Sequence, residues 1–330
     1  MKLKTLFLSL CLGGLSWSTA QAAAPAAHED IGGVFGDAAY VEGFIKDHTP
    51  EEKERINMDD AYVNAMHLRG VQPSPQPEYL ATAGGPGSGK STILEQFMNE
   101  ERSKSPTTNY VLGDPDQGAL LYMGNTYRKE LTCGKIAEAE KIAKAKGLPP
   151  GAGFQALLGE TAYPKWRGAS NYIATKLLNR AEKAGYNIAH GTTSTSPYVE
   201  GIYQKLKVRG RKITLLPCYA TDETRVAALK HRAEKQGFCQ VDAQDIINKG
   251  KMFSERLPIY FKYADVLHLY WRDHFDADGI RAATYEKGKP LVVHNEEAFQ
   301  KFKDQYDHDR QEHAKGGKHL PTYEEVEKSF

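Results

Sequence analysis

The chain has 330 residues, a formal net charge of +1, 40% apolar residues and 26% charged residues. That length and composition suit a soluble globular protein with one large domain or a core plus a smaller appendage. A near-neutral balance gives no electrostatic footing for nucleic acid or an anionic membrane, and neither is expected as a partner. Residues 1–22 read as a bacterial secretory signal peptide. Met1-Lys2-Leu3-Lys4 is basic, Thr5 to Trp17 is apolar but too short to span a bilayer comfortably, and Ala20-Gln21-Ala22 is a small-x-small cleavage site. The expectation is an exported protein, periplasmic or secreted, with no further membrane segment. Cys133, Cys218 and Cys239 remain after the signal. An odd number cannot pair completely and no spacing suggests zinc, so they read as small buried thiols.

Residues 28–70 are expected to form an N-terminal helical extension. Thr49-Pro50-Glu51-Glu52 combines a hydroxyl cap, a proline in the first turn and acids against the helix dipole. Residues 71–77 include Gln72-Pro73-Ser74-Pro75-Gln76-Pro77, which cannot be helix and reads as a stiff extended linker.

Residues 78–296 then alternate between strand and helix. Tyr79 to Ala83 predicts a strand, followed by a glycine loop and a helix to about Ser103. Asn109 to Gly113 predicts a second strand, ending at Asp114-Pro115-Asp116. A charge-laced helical stretch runs to about Lys146 and breaks at Leu148-Pro149-Pro150. A helix around Ser170 to Lys183 leads to the strand Tyr186 to His190. The helix Tyr198 to Val208, the strand Ile213 to Tyr219 and the helices Asp222 to Gln236 and Asp242 to Tyr263 follow. Val266 to Tyr270 is the last core strand, and Pro290 to Val293 a short edge strand. Strands separated by helices imply an α/β fold with a mainly parallel sheet and helices on both faces. Residues 297–330 read as a charged tail, helical or frayed.

The loop Gly84-Gly85-Pro86-Gly87-Ser88-Gly89-Lys90-Ser91-Thr92 satisfies G-x-x-x-x-G-K-[ST]. Glycines let backbone N–H groups face a phosphate without obstruction, and the following helix brings its positive N-terminal end. Lys90 is placed to bridge β- and γ-phosphates, and the Ser91 hydroxyl to ligate Mg²⁺. A strand before the loop and a helix after it are the context this mechanism needs.

Asp114 and Asp116 close the second strand, on the side of an open α/β sheet where ligands bind. A carboxylate there serves to deprotonate an acceptor hydroxyl or to hold hydrated Mg²⁺; alternatively Asp-Pro-Asp simply forms a turn. Arg225 and Arg232 lie seven apart on one predicted helix and so share a face. One of them is a candidate cation for a γ-phosphate, against the alternative of a solvated basic face. Lys249, Lys251 and Arg256 form a second, weaker group. Tyr163, Trp166 and Arg167 are candidates for stacking on a base, although ordinary packing explains them as well.

From about Tyr79 to Tyr270 the arrangement resembles the zeta-toxin family of P-loop kinases. The resemblance rests on the loop Gly84 to Thr92, on Val111-Leu112-Gly113-Asp114-Pro115-Asp116, which is similar to a strand ending in that family's Asp-x-Asp pair, and on Gly185-Tyr186-Asn187-Ile188-Ala189-His190-Gly191-Thr192, which is similar to a strand ending in Glu-Gly-Thr. The resemblance implies a P-loop fold and ATP–Mg²⁺-dependent phosphorylation of a hydroxyl on a nucleotide-like small molecule. It makes Asp116 the base, gives Lys90 and Ser91 to ATP–Mg²⁺, lets Thr192 position the acceptor, and matches Arg232 to a phosphate-stabilising arginine. Asp114, His190 and Arg225 fall on the acceptor side. His190 stands where the family has a glutamate that contacts UDP-N-acetylglucosamine, and imidazole cannot accept two hydroxyl hydrogen bonds as a carboxylate does. No arginine stands near Phe238-Cys239-Gln240, where a second one belongs; Lys249 or Lys251 would replace it only as a point charge. A related effector group of plant-associated bacteria phosphorylates NAD, so UDP-N-acetylglucosamine and NAD both stand as acceptors. The resemblance also implies an antitoxin or immunity partner that blocks the nucleotide site. With the signal peptide, the expectation is an exported toxin or effector acting in a target cytosol. A nucleotide-dependent switch and a catalytically dead interaction protein are the alternatives.

Overall fold

The structure, a computed structural model, describes residues 31–105, 109–116, 141, 143–147, 163–236 and 243–329. The signal peptide, Cys133, Cys239, most of the helical stretch before Lys146, the break at Leu148-Pro149-Pro150 and Phe238-Cys239-Gln240 lie outside them. Five strands run parallel: β1 (Glu78–Ala83), β2 (Tyr110–Gly113), β3 (Asn187–His190), β4 (Lys212–Tyr219) and β5 (Val266–Trp271). β6 (Ile280–Glu286) and β7 (Val292–Val293) add antiparallel pairs, and the order is β2-β3-β1-β4-β5-β6-β7. The expected α/β class with a mainly parallel sheet is the one observed. No strand was predicted between Tyr270 and Pro290, so β6 is an addition; it turns the expected edge segment into the outer partner of a hairpin-like extension.

Strand parity sorts the core. Tyr79, Ala81 and Ala83 of β1 and Leu215 and Tyr219 of β4 face one apolar cluster, whereas Leu80, Leu216 and Cys218 face another. The second cluster is filled by Ile93, Leu94, Phe97 and Met98 of helix α3 (Lys90–Lys104). The first receives helices α1 (Ala38–Gly43), α2 (Pro50–Leu68), α4 (Tyr163–Lys183), α5 (Val199–Val208) and α7 (Ala243–Tyr263). α6 (Asp222–Gln236) packs beside α7.

Two terminal segments belong to this core. Thr49 caps α2 through the capping box with Glu52, and Val34, Phe35, Val41, Ile45, Ile56 and Val63 sit in the same cluster as Tyr79 and Ile188. The buried Asp60 carboxylate receives both guanidinium nitrogens of Arg180 at 2.9 and 3.0 Å and the Lys176 ammonium at 2.8 Å. Asn179 ties α4 to the same segment: its side-chain oxygen accepts from Phe35 N at 3.0 Å and its amide donates to Ile31 O at 2.9 Å. Breaking such a buried pair by removing one partner costs about 3–5 kcal/mol, so the extension is bound as firmly as a core element. The segment after Glu296, expected as a charged tail that is helical or frayed, is helical: it forms α8 (Glu296–Lys315) and α9 (Tyr323–Lys328) and packs into the core. Phe302 and Tyr306 are fully buried, with Phe299 and Tyr323 beside them; each such side chain contributes about 1.5–3 kcal/mol of apolar burial. Among the described residues no helix is long and apolar enough to cross a membrane.

Candidate active site

Because β1 to β5 point the same way, their carboxyl ends gather five loops along one rim. A cavity of about 500 Å³ opens there. The glycine loop forms its floor. Gly84, Gly87 and Gly89 have φ of 147°, 82° and 90°, conformations that side chains other than glycine's resist. At Gly87 a Cβ would also overlap the backbone carbonyl of Arg225. No side chain caps α3, and Gly89, Lys90, Ser91 and Thr92 line the cavity. The positive end of the helix therefore faces the space where a phosphate would lie.

Lys90 Nζ donates to Gly85 O at 2.8 Å. Burial pushes its ammonium down to about 8, with Cys218 and Asp116 acting in the opposite sense and Arg232 and Arg225 reinforcing the fall. Under the loop, Cys218 Sγ donates to Ser88 O at 2.9 Å, and burial pushes the thiol up to about 12. It is a buried thiol, as expected for this cysteine.

Across the cavity the turn after β2 is held by its own side chain: Asp114 Oδ1 accepts from the Asp116 backbone N–H at 2.8 Å. This presents Asp116 to three cations. Arg167 of α4 forms a direct ion pair with Oδ1, Arg232 of α6 stands 3.9 Å from Oδ2, and Lys90 contributes through space. Burial pushes the Asp116 carboxyl up, but Arg167 first, then Arg232 and Lys90, outweigh it and hold the group below its ordinary value. The third wall is Gly191-Thr192-Thr193. Thr82 Oγ1 donates to Thr192 O at 2.7 Å and accepts from Thr192 N at 3.0 Å, and Ser194 N donates to Thr192 Oγ1 at 3.1 Å. Ser194 holds φ of 54°, pinned by its Oγ donating to Thr82 O at 2.8 Å and by Tyr260 OH donating to its carbonyl at 2.8 Å.

The loop residues from Pro86 to Thr92 other than Ser88 thus meet Asp114, Asp116, Thr192 and Arg232 around one space. Two expected acceptor contacts lie elsewhere. His190 does not line this cavity: on β3 it has the parity of Ile188, its Nδ1 shares a 2.8 Å hydrogen bond with Tyr79 OH, and its ring meets Phe35 edge-on at 5.8 Å. Burial pushes that imidazole down to about 4, so it is neutral and belongs to the core beneath the N-terminal segment. Arg225 is buried behind the glycine loop, donating to Ile246 O at 2.6 Å and paired with Asp222. There it braces the loop from behind; its side chain would collide with a Cβ at Gly85 or Gly250. The side chains of Tyr163 and Trp166 lie outside the described ones. Lys251 faces away, toward Glu312 at 3.9 Å.

Sequence reasoning missed Arg272. It follows β5 directly, lines the cavity, donates from Nε to Ala277 O at 3.0 Å and reaches Gly87 O at 3.4 Å. Its position at the carboxyl end of a parallel strand was the available signal. Lys249 and the ring pair His231–Phe275, with centroids 5.2 Å apart, also line the space. The lining holds five Lys or Arg side chains against two carboxylates, a balance that favours a polyanionic ligand.

A solved structure shares this fold. The chain aligns with AvrRxo1-ORF1:AvrRxo1-ORF2 crystallised with sulphate ions at a TM-score of 0.54 and 16% identity, over 80% of this chain and 77% of that one. The PezAT chromosomal toxin–antitoxin system of the human pathogen Streptococcus pneumoniae aligns at a TM-score of 0.49 and 16% identity, over 81% of this chain and 96% of that one. AvrRxo1-ORF1:-ORF2 with ATP aligns at 0.48 and 14%, over 76% and 70%. No protein-family model and no curated protein matches the sequence. The α/β fold expected from the sequence is thus shared with the first of these structures.

The Lys90 environment has a measurable consequence. Its ammonium is charged below about pH 8 and loses its proton above that in the ligand-free protein; the negative charge of a bound polyphosphate would favour the charged form again. Affinity for ATP should therefore fall as pH rises past that value, by up to about tenfold per unit. Titration calorimetry near pH 9 in buffers of different ionisation enthalpy should show close to one proton taken up per ATP bound. Binding without proton uptake would contradict the assignment of a depressed lysine.

Proposed function

We propose that the chain is a kinase that transfers the γ-phosphoryl group of ATP to a hydroxyl of a nucleotide-like small molecule. The observation that carries this reading is one cavity with a phosphate loop on its floor and an ionised, cation-held carboxylate, Asp116, opposite. A nucleotide switch uses such a carboxylate only to hold hydrated Mg²⁺, whereas a kinase also needs one to take the acceptor's proton.

Donor and metal fit the residues present. The glycine loop is a cradle that side chains would fill, and the Ser91 hydroxyl at the start of α3 lines the same cavity, a hard oxygen donor of the kind Mg²⁺ takes when phosphates supply the rest of its shell. Bound there, Mg²⁺ would neutralise charge on the phosphate oxygens. The chain's own residues do the remaining work. Lys90 and the loop N–H groups hold the phosphates in line, Thr192 and its neighbours position the acceptor, and Asp116 accepts the proton of the acceptor hydroxyl. That oxygen bonds to the γ-phosphorus as the bond to the bridging oxygen of ADP breaks, and ADP leaves. Arg232 stabilises charge on the moving phosphoryl group. In a loose transition state the hydroxyl proton leaves late, so a fixed anionic oxygen matters more than a strong base. UDP-N-acetylglucosamine and NAD are the acceptors proposed. His190, turned into the core, supplies neither with a contact, so selection falls to the Gly191–Thr193 loop and the basic lining.

Incubation with ATP, Mg²⁺ and a panel of nucleotide sugars and dinucleotides should yield ADP and an acceptor heavier by one phosphoryl group. Lys90→Ala should reduce that rate by ~10²–10³-fold. Tight ATP binding with no product from any acceptor would favour a switch or a dead enzyme and sink the kinase reading.

We also propose that the protein is exported as a toxin or effector and is held in check by a second protein. The N-terminal sequence motivates the first part; the second draws on AvrRxo1-ORF1, which is found in complex with ORF2. Fractionation of the producing cell should recover a chain beginning after Ala22 outside the cytoplasm. A full-length precursor confined to the cytoplasm would rule export out.

A further inference from the structure

The helix that grips the catalytic turn is the same helix that carries the N-terminal segment. At its start, Arg167 pairs with Asp116 and Ser170 Oγ donates to Pro115 O. One residue on from Arg167, Gly168 lies flush against the backbone carbonyl of Phe44, where any Cβ would overlap that oxygen. Farther along α4, Asn179, Lys176 and Arg180 are bonded to the Ile31–Gly36 segment and to Asp60 of α2. Contact is therefore continuous from the N-terminal segment, through α4, to the Asp114-Pro115-Asp116 turn.

We propose that Arg167 is a positioning residue that orients Asp116 and keeps it anionic, and that residues 31–68 set Arg167 in place by their packing on α4. This deepens the kinase reading and rests on it for the role of Asp116. Among the described residues, the charged groups facing Asp116 are Arg167 from α4, Arg232 from α6, Lys90 from α3 and Asp114 from its own turn. Arg232 stands at 3.9 Å, and Lys90 has Gly85 O as a hydrogen-bond partner. Arg167 is in direct contact, and its guanidinium fixes the oxygen in a way that a distant charge does not. The N-terminal segment contributes none of these groups and instead makes the close approach at Gly168. That approach explains a glycine in the first turns of a long helix, where it otherwise costs about 1 kcal/mol relative to alanine.

The test uses the full chain in four forms: wild type, Arg167→Gln, Arg167→Lys and Gly168→Ala. The Asp116 carboxyl is titrated by carbon-13 NMR, assigned with Asp116→Asn, and the transfer rate is measured against pH. Without Arg167 the burial of Asp116 acts with less opposition, so the Arg167→Gln titration midpoint and the acid limb of the rate should both move to higher pH. The rate deficit should grow toward the acid end of the profile. Arg167→Lys should restore most of the midpoint. Gly168→Ala should move it in the same direction, by less, with an unchanged circular dichroism spectrum. An unmoved midpoint in Arg167→Gln overturns the proposal. So does a uniform rate loss at every pH with an unmoved midpoint, which would give Arg167 a direct hold on substrate. The titration needs no acceptor, so a protein that transfers no phosphate loses the kinase reading while the role of Arg167 is still decided.

Discussion

In the proposed kinase Asp116 has to stay anionic although its burial pushes the carboxyl up. The ion pair of Arg167 with Asp116, supported by Arg232 and Lys90, meets that constraint, and much of the site's construction follows from it. Three elements must converge on one turn: α3 bringing Lys90, α4 bringing Arg167 and α6 bringing Arg232. Parallel strands are what make convergence possible, because all their carboxyl ends deliver loops to one rim. The glycine loop, braced from behind by Arg225, then lies across from that turn, where the proposed kinase would hold its phosphates.

The same constraint explains why the terminal segments are not ornamental. α4 holds its charge at one end of its length and its anchorage at the other, through Asn179, Lys176 and Arg180. A helix that positions a guanidinium to within hydrogen-bonding precision has to be packed rigidly, and residues 31–68 supply one side of that packing. At the far end of the sheet, α8 covers β5 and β6 while α9 packs on α7 and α8, and Phe302 and Tyr306 are buried there. Arg272 leaves β5 straight into the cavity, so the covered strand is also one that carries a lining residue.

Much of this was legible in the sequence, for physical reasons that can be named. The glycine loop announces itself because backbone geometry restricts its residue types, and Thr49-Pro50-Glu51-Glu52 because orphan N–H groups need a cap. The parallel strands show as largely apolar runs such as Ile213 to Tyr219. What stayed hidden depended on the third dimension. The side chain of His190 follows from parity: it shares a face with Ile188, so the alternation of β3 turns it away from the loop, a fact visible only once the register is known. Arg225 and Arg232 share a helix face, yet the helix slants past the loop so that one is buried behind it and the other reaches the cavity. Phe299, Phe302 and Tyr306 are spaced for one helix face but lie among so many charges that the stretch resembles a solvated tail. β6 begins after an irregular loop, and its turn signal, Asp278-Gly279, sits at the end of that loop and not in a two-residue connection from β5.

The account stands or falls on Asp116 acting in transfer and not in nucleotide binding. The most direct measurement compares ATP affinity and transfer rate in Asp116→Asn, which keeps size and shape and removes the charge. The account predicts an ATP dissociation constant within about threefold of wild type and a transfer rate lower by ~10²–10⁴-fold. Full transfer activity in that variant, or loss of ATP binding in step with activity, would contradict it.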